Sequence, residues 1–201
     1  MTDNIIFSIE NYVNTQEIPN GKKKVILSAI QLFASQGFHG TSTAQLAQQA
    51  NVSQATIYKY FETKEAILVY IFELMTHIIS YPFLKQLSSF QTKKELIHYF
   101  VTDRYNFIAH NYKVVNIILQ ELLINPEIIS VFKNVIKSRS DVINNIFQRL
   151  ENGNNLTRLE IIRIILTPIM AYYCQVHVFN IKSNNIDDDL KDIENQILSL
   201  L

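Results

Sequence analysis

The feature that most narrows what this chain can fold into is its shortage of chain breakers. Across 201 residues there are four glycines and four prolines. Nearly all of them stand where a helical chain needs a start or a stop. Gly21 precedes an apolar-periodic stretch, and Gly37 follows it at the position where a helix ends most cheaply. Gly40 falls in the next loop, and Gly153 closes a later helix. Asn125-Pro126-Glu127 reads as a helix start, with a capping side chain, a proline in the first turn and an acid near the positive dipole end. Pro82 is expected to end or kink a helix. Three reciprocal capping boxes are written into the sequence, Ser42 to Gln45, Thr92 to Glu95 and Thr157 to Glu160.

Between these marks the apolar spacing is helical. Ile26, Ala29, Ile30 and Phe33 stripe the first helix. Ile128, Ile129, Phe132, Val135 and Ile136, then Val142, Ile143, Ile146, Phe147 and Leu150, stripe a long later one. No stretch alternates with period two, so little or no sheet is expected. The spacing predicts about nine helices, over 21–36, 43–50, 54–60, 64–80, 93–110, 112–124, 126–151, 157–180 and 187–200. The expected class is all-α. Residues 1–20 read as an N-terminal arm, loose or with a short extra helix, 21–67 as a three-helix helix-turn-helix head, and 68–201 as a larger helical body.

Charge separates head from body. The formal net charge is zero. Yet between Pro19 and Lys64 five lysines (22, 23, 24, 59 and 64) face one acid, Glu62, a local net of +4. The other end is acidic, with Asp187, Asp188, Asp189, Asp192 and Glu194. A basic head on a neutral-to-acidic body suggests that only the head meets phosphate. Residues 1–20 do not read as a signal peptide, because Asp3, Glu10 and Glu17 interrupt the apolar positions. The single cysteine, Cys174, fits a reducing cytoplasm and reads as a small core residue.

Residues 41–68 carry the function. Two short helices meet at a tight turn, Asn51-Val52. The first buries Leu46, Ala47 and Ala50; the second starts at the cap residue Ser53 and buries Ile57 and Phe61, one turn apart. Two small alanines let the helices cross closely, and Asn51 tolerates a left-handed backbone. This is the pattern of a helix-turn-helix. Its outward face would be Gln54, Ala55, Thr56, Tyr58, Lys59 and Tyr60. Glutamine can read adenine, threonine a base edge or thymine methyl, and lysine and tyrosine can bind phosphate.

Residues 22–68 resemble the DNA-binding head of the TetR family of regulators. The resemblance rests on the Ile-Leu-x-Ala-x-x-Leu-Phe-Ala-x-x-Gly-Phe run at 26–38, Thr-Ser-Thr-x-x-Leu-Ala at 41–47, and Val-Ser-x-Ala-Thr-Ile-Tyr-Lys-Tyr-Phe-x-Thr-Lys-Glu at 52–65. It implies that Thr43 lies beside the phosphate backbone and that Gln54, Ala55 and Thr56 face base edges. Tyr58 and Tyr60 would touch phosphate and groove wall, Lys59 base or phosphate, and Lys64 phosphate. Asn51 and Ala55 stand where the family commonly has glycine, so the operator sequence does not carry over.

The resemblance also implies a homodimer on double-stranded operator DNA. The apolar helix at 157–180 and the helix at 187–200 would pair with their copies through Ile162, Ile165, Ile169, Leu190, Ile193 and Ile197. Arg163, Thr167, Pro168, Gln175 and His177 interrupt the first of these, which argues against a membrane span. For a small hydrophobic effector, the body offers Tyr105, Phe147 and Tyr173 as apolar lining and Asn116, Gln120 and His177 as polar fixers. No glycine-rich phosphate loop, His-Glu-x-x-His or metal-spaced Cys/His cluster is present, so neither an enzyme nor a cofactor or metal is expected. A regulator of the same kind acting as an activator, or through a protein partner, fits the sequence as well.

Overall fold

The structure is a computed structural model that describes residues 9–153 and 155–201, with the backbone alone over 77–81. Among the described residues every regular element is helical. In chain order these are α1 (Ile9–Thr15), α2 (Asn20–Gln36), α3 (Thr43–Ala50), α4 (Gln54–Tyr60), α5 (Lys64–Leu87), α6 (Lys93–Leu122), α7 (Pro126–Ser138), α8 (Ser140–Glu151), α9 (Arg158–Tyr173) and α10 (Ile186–Leu200). A π-helical turn, Cys174–Val178, extends α9. All three capping boxes form: Gln45, Glu95 and Glu160 each accept from the cap residue's backbone N–H, at 2.8, 3.2 and 2.7 Å.

Two helix boundaries, at Pro82 and Arg139, differ from the sequence expectation, each for a local reason. The N-terminal arm contains a helix, α1, whose Ile9 and Val13 are fully buried. Pro82 does not end α5, which runs on to Leu87. The proline forfeits one backbone hydrogen bond, but Phe83, Leu84 and buried Leu87 pack into a core just beyond it. The expected break between helices 93–110 and 112–124 is present as a kink inside α6 at Asn111, whose φ of −124° and ψ of 19° are not helical. The expected single helix 126–151 is split at Arg139, at φ −115° and ψ 12°. There the Ser138 hydroxyl donates back to the Val135 carbonyl, a bond that competes with helix continuation.

By its internal packing the chain resolves into two compact units. The first holds the described residues of Met1–Ser80 together with Ile108–Ser138. Its core joins Ile26, Ile30 and Phe33 of α2, Leu46 of α3, Ile57 of α4 and Ile67, Leu68, Ile71 and Phe72 of α5 to Val114, Ile117 and Ile118 of α6. The second unit holds the described residues of Tyr81–Phe107 with Arg139–Leu201. Leu96, Ile97 and Val101 of α6, Ile146 and Leu150 of α8, Ile161 and Ile165 of α9 and Ile193 and Ile197 of α10 form its core. Lys93 ties this unit's first turn to the carbonyl of Leu201 at 2.9 Å.

The capping carboxylates also make stability depend on acid. The backbone N–H and then the hydroxyl of Thr157 hold Glu160 below the usual carboxylate range, and the Thr92 hydroxyl and N–H do the same for Glu95. A carboxyl whose folded pKa is depressed stabilises the fold above its unfolded value and loses that contribution as pH falls through the folded one. Melts followed by circular dichroism should therefore show the thermal midpoint falling between about pH 5 and pH 3. Glu160→Gln, which preserves the capping box, should flatten part of that fall by lowering the midpoint at neutral pH while leaving it nearly unchanged at pH 3.

Candidate nucleic-acid interface

Three caps build the helix-turn-helix. Ser42 opens α3, its side chain accepting from the Gln45 N–H at 3.2 Å. Asn51 closes α3 in the left-handed region at φ 51° and ψ 51°. Ser53 opens α4, its hydroxyl accepting from the Thr56 N–H at 3.1 Å. Leu46, Ala47, Ala50, Ile57 and Phe61 are all buried, as their spacing predicts, and Val52 packs against the same core. With Ile57 inward, Gln54, Ala55, Tyr58 and Lys59 are exposed, Tyr58 by 51%. Thr43 and Tyr58 bring their hydroxyls within 3.3 Å, joining the start of α3 to the outer face of α4.

Two of the expected readers sit differently. Thr56 and Tyr60, one turn apart, are half-buried and lie against the first turn of α2. A Cβ at Gly21 would meet the Tyr60 hydroxyl oxygen at 3.1 Å and its ring at 3.2 Å, with Thr56 Cγ2 at 3.5 Å. Glycine is what allows α2 to approach this closely. The Thr56 hydroxyl is also engaged at 2.8 Å with Ser53. Both residues present an edge to solvent, but their main contacts hold α4 against α2.

Lys64 is engaged within the chain. Its ammonium donates to the carbonyls of Phe38 and Thr41, at 2.8 and 2.9 Å, and lies 4.3 Å from the centre of the Phe38 ring. It is half-buried and clamps the loop that precedes α3. The same loop needs glycine at position 40, where a Cβ would stand 2.4 Å from the Gln36 carbonyl oxygen. Other lysines of the basic run are likewise tied down. Lys22 sits 4.0 Å over the Tyr70 ring and 5.1 Å from that of Phe61. Lys23 donates to the Asn14 carbonyl at 2.7 Å. Lys24 and Lys59 are exposed. Charge counting could not separate these cases, because the aromatic and carbonyl partners are distant in sequence.

The expected effector residues fall in both units. In the first, Asn116 is half-buried, whereas Gln120 is exposed, outside the arc of α6 that buries Val114, Ile117, Ile118 and Glu121. Buried Glu121 meets the exposed His39 imidazole at 3.5 Å. In the second unit the Tyr105 and Tyr172 rings lie 6.0 Å apart, and Tyr173 and His177 5.2 Å apart. Burial pushes all three tyrosine hydroxyls up. Phe147 packs on the second core beneath the Arg158 guanidinium. A feature the sequence reading missed lies in the same unit. Arg104, paired with its neighbour Asp103, rests 3.7 Å from the Phe83 ring centre. Beside it Tyr99 is pushed up to about 12, by burial and then by Asp103.

The expected dimer residues also divide. Ile165, Ile193 and Ile197 are buried in the chain's own second core and are not available to a partner, while Ile169 and Leu190 are half-buried against it. Ile162 is exposed, in a row with Leu159, Leu166 and Met170 along α9. Arg158–Val178 is long and apolar enough to cross a membrane by length and composition. One side of it packs into the second core through Ile161, Ile165, Pro168 and Tyr173, which is how a helix apolar on several faces is used inside a globular fold.

Residues 25–71 match the family described as bacterial regulatory proteins, tetR family. The head is a TetR-family domain. A curated relative, the fatty acid metabolism regulator protein of Bacillus subtilis, is 30% identical over 95 residues, covering 46% of this chain and 48% of that protein. The chain thus matches about half of this relative's length. Among solved structures, a TetR family transcription regulator from Marinobacter aquaeolei superposes with a TM-score of 0.74 at 16% identity, over 90% of this chain and 95% of the other. The regulator FadR of Bacillus subtilis, in complex with stearoyl-CoA, gives 0.66 at 21% identity, over 88% and 95%. These likenesses show that the TetR-family fold extends beyond the head. The relatives are transcriptional regulators, not enzymes.

The carbonyl clamp separates Lys64 from the exposed Lys59. Lys64→Met should cost about 1–3 kcal/mol in chemical denaturation, because two carbonyls lose a charged donor. Lys59→Met should stay within about 0.5 kcal/mol of the parent.

Proposed function

We propose that this chain is a ligand-responsive transcriptional repressor of the cytoplasm that binds an inverted-repeat DNA operator as a dimer and is released by a small hydrophobic effector. The observation that carries the reading is the outer face of α4. Gln54, Ala55, Tyr58 and Lys59 are exposed while Ile57 behind them is buried. An amide donor-acceptor, a phenol and an ammonium on a seven-residue helix suit a major groove. Gln54 reads a base edge, Ala55 allows close approach, and Thr43, Tyr58 and Lys59 bind backbone. Thr56 and Tyr60 hold the helix at its angle, and Lys64 holds the loop before α3.

The exposed row Leu159, Ile162, Leu166 and Met170 on α9, with Ile186 and Leu200 at the ends of α10, is the surface a second copy covers. A symmetric pair then presents two α4 helices to successive major grooves, roughly 34–36 Å apart. The effector site belongs to the aromatic second unit, which holds the Tyr105–Tyr172 ring pair and, beside Phe83 and Tyr99, the charged pair Asp103–Arg104. An apolar body with a polar end suits such surroundings. The stearoyl-CoA held by the FadR structure is of that kind.

Selection from a random duplex library, followed by fluorescence anisotropy on the selected sequence, tests the DNA reading. Gln54→Ala should cost on the order of 1–3 kcal/mol and act at particular base pairs. Lys59→Ala should weaken binding to every sequence and lower the salt slope by about one. Equal loss at every operator position for Gln54→Ala would remove its role as reader. Separately, Leu166→Glu should shift sedimentation from dimer to monomer and abolish tight operator binding; a dimer that survives it would place the interface elsewhere.

A further inference from the structure

The DNA-binding reading leaves α1 without a role, yet side chains from α6 and α2 hold its backbone at Ile9 and Asn14. At the start, the Ile9 N–H donates to Asn111 Oδ1 at 2.9 Å, a buried bond between residues 102 apart in sequence. Asn111 is 4% exposed and is the residue at which α6 leaves helical geometry. At the other end, Lys23 Nζ donates to the Asn14 carbonyl at 2.7 Å. Orphan N–H groups at a helix start and orphan carbonyls at its end are what such partners satisfy. Between the two ends Ile9 and Val13 are fully buried in the first core. Lys23 lies in the first turn of α2, two residues from Gly21, and Gly21 abuts Tyr60 and Thr56 of α4.

We propose that α1 is a strut that ties the bend of α6 to the recognition helix. Asn111 holds one end and Lys23 the other. The strut fixes the first turn of α2, and that turn fixes α4 through the Gly21 contact. The geometry of α6 at Asn111 is thereby read at Gln54, Tyr58 and Lys59. Asn111 and Lys23 are positioning residues, and neither needs to touch DNA. The inference rests on the DNA-binding role of α4 proposed above.

The test uses the full chain and the duplex selected by the parent protein, with affinity measured by anisotropy over a salt series. Asn111→Ala and Lys23→Met should each weaken binding by about fivefold or more, with the salt slope unchanged because no phosphate contact is lost. The double variant should lose no more than the worse single one, since both ends belong to one strut. Lys23→Met alters a half-buried side chain on the head, so it serves where Asn111→Ala unfolds. Parent-like affinity in both variants overturns the strut, as do additive losses. A salt slope reduced by about one in Lys23→Met makes that lysine a phosphate contact and also overturns it. Failure of the parent to bind any duplex overturns the DNA-binding reading itself, and the strut with it.

Discussion

The burial of Ile57 and Phe61, one turn apart, decides the direction in which α4 faces. Both side chains enter the core of the first unit beside Leu46, Ala47 and Ala50. Ile57 commits one face of α4, and Phe61, the extended residue that caps the helix, anchors its end in the same core. Gln54, Ala55, Tyr58 and Lys59 face outward because the other side is committed. Each surrounding device protects that orientation. The Ser53 cap and the left-handed Asn51 set where α4 begins, and the contact of Tyr60 and Thr56 with Gly21 sets its tilt. Lys64 holds the loop before α3 to the same frame.

Much of this was legible from residue types alone. Caps, the turn asparagine and the buried face of the helix-turn-helix are local signals, and the structure places them where the spacing puts them. What escaped depended on partners distant in the chain. Nothing near Lys64 or Lys22 announces that carbonyls or aromatic rings await their ammonium groups. Gly21 reads as helix punctuation, while its importance is the space it leaves for Tyr60, 39 residues away. Residues 1–20 left a loose arm and a short helix both open for the same reason. A seven-residue helix is marginal by itself, and α1 is held by an asparagine 102 residues on.

Boundaries failed where tertiary packing outweighed a breaker or where the breaker was weak. Pro82 is a strong local stop, yet Phe83, Leu84 and Leu87 bury enough surface beyond it to keep α5 whole. At Arg139 the reverse happens. The helical stripe continues, but the chain breaks where it passes from one compact unit to the other. The residues expected at the dimer seam divide in the same way. The apolar stripe on α9 and α10 serves the chain's own core through Ile165, Ile193 and Ile197, and a second, outer row is left over. Periodicity shows that a helix has apolar faces; it does not say which neighbour each face meets.

The close approach at Gly21 divides the head into parts that evolve under different rules. Enlarging that residue requires the Tyr60 side chain to give by a few tenths of an ångström, so the two positions change together. Gln54 and Ala55 lie on the far side of α4, outside the core. Exchanging them leaves the scaffold intact. A lineage carrying this head could therefore be readdressed to new promoters by changing two or three solvent-facing side chains, while its architecture stays frozen.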